Sequence, residues 1–136
     1  MPNQAVPQKI QKVEFDVTTS EGPGRVTVVT GMLQVNLQAA SQGGEAVTKQ
    51  TYVALLDPLS APGKFRKATA TASLGWQETA GQPVDVQCAI EDAHATLDDE
   101  TGQVRLVVDL MIAVTGVNSY SILYAVMFQV TTLAMV

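Results

Sequence analysis

The sequence predicts an all-β fold: a single jelly-roll-like β-sandwich of about seven antiparallel strands, carried behind an extended N-terminal arm. Three observations predict it. Turn-forming clusters recur at fairly even spacing: "SEGPG" (20–24), "SQGGE" (41–45), "DPLSAPG" (57–63), "AGQP" (80–83), "DDETG" (98–102) and "TGVNS" (115–119). The segments between them are rich in Val, Thr, Ile and aromatic residues and alternate with period two, as strands with one buried face do. No stretch shows a 3.6-residue apolar period bounded by helix caps.

The elements follow in order. Residues 1–12, "MPNQAVPQKIQK", hold Pro2 and Pro7, which suit an extended arm better than a central strand, and lack the apolar core of a secretory signal. The sandwich domain is expected over 13–136. In "VEFDV", Val13, Phe15 and Val17 are expected to face inward. In "RVTVVTGMLQVNLQ", Val26 and Val28 lie on one parity and Leu33, Val35 and Leu37 on the other, so a β-bulge is expected at Gly31. "KATATASL" puts Ala68, Ala70, Ala72 and Leu74 on one face. "VDVQCAIEDAHATLDD" changes phase from Val84, Val86, Cys88 and Ile90 to Ala93, Ala95 and Leu97, which predicts a second bulge at Glu91–Asp92. The clearest strand is "QVRLVVDLMIAVT", with Val104, Leu106, Val108, Leu110, Ile112 and Val114 on one side.

No charged residue follows Asp109. Residues 110–136 could span a bilayer by length, but "TGVNS" interrupts them, β-branched and aromatic types dominate, and no Lys or Arg anchors the end. Membrane insertion is therefore not expected. As a strand, "YSILYAVMFQVTTLAMV" is apolar on both faces: Tyr120, Ile122, Tyr124, Val126, Phe128 and Val130 share one parity, and Leu123, Ala125, Met127, Leu133 and Met135 the other. A two-layer sandwich covers one face, so the second implies a cover from the same chain or another copy.

Composition narrows the function classes. Charged residues are 15% of 136 against 46% hydrophobic, a polar but weakly charged surface that does little to keep copies apart. A net charge of −5 with scattered basic residues argues against nucleic acid. Single Cys88 excludes an intramolecular disulfide and reads as a buried small thiol. His94 is the only histidine; the acidic residues around it lack the spacing of a calcium loop, and there is no nucleophile elbow or phosphate loop. Catalytic, metal and cofactor residues are accordingly not expected, nor is enzymatic activity.

The stretch "VDVQCAIEDAHATLDDETGQVRLVVDLMIAV", preceded by "VTVVTGMLQVNL" and "LLDPLSAPGKF", resembles the SPOCS domain of spore-coat and spore-morphogenesis proteins. The residues that carry the resemblance are Gly31 to Val35, Phe65, Ile90 to Asp98 and Val104 to Val114, within roughly Val26 to Val114. The resemblance implies a non-enzymatic β-rich module used in spore-surface assembly. The expected role is that of a structural subunit whose partners are copies of itself. It would form a filament or other extended assembly at an extracellular, spore or cell surface, by strand complementation. The expected contact residues are Val6, Ile10 and Val13 on the arm, and Leu123, Met127, Leu133 and Met135 on the last strand. A phage or virion tail or decoration protein, and an apolar-ligand module built beside Trp76 and Tyr124, are the alternatives.

Overall fold

The computed structural model describes residues 3–58, 63–98 and 100–136. Within them the chain is all-β: β1 (Asn3–Gln4), β2 (Pro7–Thr19), β3 (Gly22–Ser41), β4 (Glu45–Leu56), β5 (Phe65–Leu74), β6 (Gln77–Asp98) and β7 (Gln103–Met135). β7 is the axis. Its first part pairs antiparallel with β4 on one side and β6 on the other; its second part pairs with β3 on one side and with β5 and the start of β6 on the other. β3 and β4 therefore lie end to end along one flank of β7, and β5 and β6 end to end along the opposite flank. β2 extends the sheet beyond β3, and β1 pairs with β4 at Tyr52 and Val53. That last pair is parallel, so the sheet is mixed and not purely antiparallel as expected.

The three long ribbons bend at one level, and the sheet curls back on itself in a sandwich-like way. "TGVNS" and "AGQP" were expected as chain reversals; both lie inside continuous strands. Gly116 (φ 148°) and Asn118 (φ 47°) kink β7. Opposite them β6 slips register on either side of Gln82–Pro83, with Gly81 at φ 94°. On the third ribbon the β3–β4 junction sits at the same level, where Gly116 N donates to Gly44 O at 3.3 Å. The corner's polar groups are satisfied within it. Buried Ser119 accepts from Gln82 N at 3.1 Å and donates to Val117 O at 3.1 Å.

Curling brings both parts of β7 into one core. Val104, Leu106, Val108, Leu110, Ile112 and Val114 are all buried to 1% exposure or less, which matches their alternation. Each such side chain contributes about 1.5–3 kcal/mol of burial. They meet Val29, Leu33 and Leu37 of β3 and Val126, Phe128 and Val130 of β7 in the same cluster.

The expected bulge at Glu91–Asp92 is present as a register shift between Ile90 and Asp92. The one at Gly31 is not in β3. Thr27, Val29, Gly31, Leu33, Val35 and Leu37 form a single unbroken buried parity, and Val26 and Val28 are half-buried on the other face. The irregularity belongs to β2, where Lys9 (φ 53°) and Ile10 together oppose Gly31. Glycine is required there because a Cβ would stand 2.8 Å from the Phe128 ring and 3.0 Å from Gln8 O. Val84, expected inward, is 85% exposed, since it lies in the displaced stretch beside the corner.

The expected seven segments are thus regrouped. The last two are one strand, and the arm supplies β1 and the start of β2. Turn residues 59–62 and Asp99 lie outside the described residues. Among the described residues no helix is long and apolar enough to cross a membrane.

Candidate interaction surface

β2 alternates charged and apolar residues, and its position decides which side is wet. It pairs with β3 alone, so one backbone edge is unpaired by any described strand. The parity that continues the core-facing row of β3 carries Lys12, Glu14 and Asp16, all exposed, because β2 lies beyond the covered part of the core. The other parity carries Val13 and Phe15, 61% and 50% exposed. Their expected inward orientation is therefore reversed, and Val17 is only half-buried.

The arm is folded onto its own sheet. Ala5 is buried and its N–H donates to Val53 O at 2.9 Å, while Asn3 Nδ2 donates to Gln50 Oε1 at 2.7 Å. Val6 and Ile10 follow this attachment and are exposed.

Register joins these residues to the last strand. Across β2, β3, β7 and β5 the outer face carries the rows Phe15–Val26–Leu133–Lys67 and Val13–Val28–Thr131–Thr69. Leu133 and Met135 are half-buried and Met127 is 44% exposed, so these three lie on the outer face with Val13. Leu123 does not join them. A phase change in β7 at Tyr124–Ala125, opposite the extra residue of β3 at Val35–Asn36, turns it into the core at 0% exposure.

Other polar clusters are local. His94 Nδ1 lies 2.7 Å from Asp92 Oδ2, both side chains half exposed. The ion pairs Lys12–Glu14, Arg25–Asp16 and Arg66–Glu21, each 3.2 Å, are solvent-facing and of the kind that contributes little to stability. Trp76 stands 67% exposed beside Tyr124, ring centroids 4.8 Å apart. The Tyr124 hydroxyl donates to Glu78 Oε2 at 3.3 Å, and its pKa is raised by local desolvation and then by the Glu78 charge.

Half-buried Cys88 has a thiol pushed above its ordinary value by desolvation, partly offset by the Ala89 backbone. At pH 8 the folded chain should therefore alkylate with iodoacetamide severalfold more slowly than the urea-unfolded chain. Equal rates would mean that β6 opens readily along its free edge.

No protein-family model, curated protein or solved structure matches this chain. The geometry above is therefore what bears on function. Two of its features escaped the sequence reading: the outward face of Phe15, and the alignment of β5 with β2 across the sheet. For Phe15 a signal existed, since an inward VEFDV leaves nothing apolar to cover the outer rows of β3 and β7. For the alignment there was none.

Proposed function

We propose that this chain is a structural subunit that associates with copies of itself by strand addition and builds an extended assembly. One observation carries the reading: Ile10, Val13 and Phe15 on β2, and Val6 just before it, are all at least 49% exposed, and β2 is an outermost strand of the sheet. A long, unpaired and partly apolar edge is a template for another chain, and proteins that remain monomeric usually blunt it. The weak surface charge supports the same reading, because it leaves little repulsion between copies. In this proposal the curled sheet is a jelly-roll-like sandwich, and the resemblance to the SPOCS domain favours a spore-surface setting. Because Asn3 to Ala5 engage their own β4, the free edge of β2 is the complementing element in this reading, in place of a donated arm.

The test is the triple substitution Val6→Ser, Ile10→Ser, Val13→Lys. All three sites are exposed, so the melting temperature should stay within about 2–3 °C of the parent, as surface changes of roughly ±0.5 kcal/mol do. Sedimentation velocity and negative-stain microscopy should show assemblies for the parent and monomers for the variant. Undiminished assembly by a folded variant would overturn the proposal.

A phage or virion setting calls for the same edge chemistry. The apolar-ligand reading draws on the Trp76–Tyr124 stack, but that pair lies on the outer surface.

A further inference from the structure

The sheet has several free edges, and they differ. β6 carries Pro83, two register shifts around it and a third at Asp92, with Asp85, Glu91 and Asp92 along the same strand. Proline and bulges interrupt the ladder that an edge can offer, whereas charge is present on β6, on β2 (Lys12, Glu14, Asp16) and on β5 (Arg66, Lys67) and does not separate them. β2 from Gln11 to Thr19 is regular, and so is β5 from Lys67 to Leu74; neither stretch holds a proline or a register shift.

These two regular edges bound the same layer, and their directions are linked. β2, β3, β7 and β5 alternate in direction, each antiparallel to the next. An even number of alternating strands has opposite directions at its two edges. A second copy set beside the first without reversing its strand directions therefore presents its β5 antiparallel to the first copy's β2. The new ladder continues the sheet once the second copy is also turned by the twist that each added strand brings, and a head-to-tail contact of this kind propagates instead of pairing two copies face to face.

Charge and side-chain size fit that placement. Glu14, Asp16 and Glu21 lie at the end of β2 level with the start of β5, where Lys64, Arg66 and Lys67 cluster. This placement brings the acidic end beside the basic one, and the exposed pairs Arg25–Asp16 and Arg66–Glu21 can exchange partners at little cost. On the outer face Thr69 and Thr71 present small β-branched neighbours to Val13 and Gln11.

We infer that the partner of β2 is β5 of a second copy of this chain, added head to tail in the register that keeps Val13 level with Thr69 and Gln11 level with Thr71. This inference rests on the self-association reading above and names its two surfaces.

Cysteine pairs test it in the full chain with Cys88→Ser. Within one molecule Val13 and Thr69 are three strand spacings apart, about 14 Å, too far for a disulfide. Under mild oxidation Val13→Cys with Thr69→Cys, and separately Gln11→Cys with Thr71→Cys, should give a ladder of covalent multimers. Each single cysteine variant should stay monomeric on a non-reducing gel, and Val13→Cys with Ser73→Cys should crosslink poorly. Matching melting curves for all variants would establish that each is folded. A covalent dimer from Val13→Cys alone would show β2 pairing with β2 and overturn the inference. Assemblies visible by microscopy with neither pair crosslinked would overturn it too, while leaving self-association standing. A chain that stays monomeric at every concentration would remove self-association itself, and the pairing with it.

Discussion

Leu106→Ala is expected to lower the unfolding free energy by about 3 kcal/mol and the melting temperature by roughly 10 °C. Leu106 is fully buried in the first part of β7. Its lateral neighbours in the ladder are both alanines, Ala54 on β4 and Ala95 on β6. Side chains that short cannot move into the space a leucine vacates, so the cavity persists and the cost exceeds the transfer term alone. Leu55→Ala is the matched control: the adjacent residue on β4 is 47% exposed, and its loss should cost no more than roughly 0.5 kcal/mol. Urea and thermal unfolding would measure both. A Leu106→Ala loss below about 1 kcal/mol would mean that this part of β7 does not form the core.

Gly116→Ala should be at least as damaging, about 3 kcal/mol or more, for a different reason. Gly116 has φ 148°, which side chains disfavour. A Cβ there would also run into the Gln82 carbonyl oxygen, stand 2.8 Å from Ser119 Oγ and lie 2.9 Å from Pro83 Cα. Two of these obstacles are backbone on the neighbouring strand, so relief would require β6 and β7 to separate at the corner. Gly43→Ala, with open space around its position, should be nearly silent. The contrast discriminates between structures. If 115–119 were an ordinary surface turn, the substitution at Gly116 would be tolerated about as well as the one at Gly43. Gly81→Ala should behave like Gly116→Ala, because its Cβ would collide with the Asn118 carbonyl from the facing strand.

Much of the fold was legible from residue to residue. The alternation from Val104 to Val114 marked its buried face, the phase change at Glu91–Asp92 marked a bulge, and Ala68, Ala70 and Ala72 marked the inner side of β5. In each case the information is local: side chains two apart share a face, and a break in that rhythm is a break in the strand. The candidate surface was legible only in part. Val6, Ile10 and Val13 were expected as contact residues of the arm, though Val13 was also expected to face inward and is exposed, and Met127, Leu133 and Met135 were expected on one face of the tail, where they lie. Leu123 was assigned to that face because its parity was counted through a phase change that only the pairing with β3 creates.

By itself, then, the sequence determined that the chain is β-rich, which face is buried from Val104 to Val114, and that the backbone departs from regular geometry at 80–83, 91–92 and 115–119. Tertiary structure alone decided what those departures do. Glycine, asparagine and proline at 80–83 and 115–119 specify unusual backbone angles, but such angles serve a reversal or a bulge equally well. Here they form one corner because they fall opposite each other on paired strands, and that pairing joins residues more than thirty positions apart. The same long-range pairing set β2 at the margin of the sheet, where an alternating strand that could have lined a core turns Val13 and Phe15 to water.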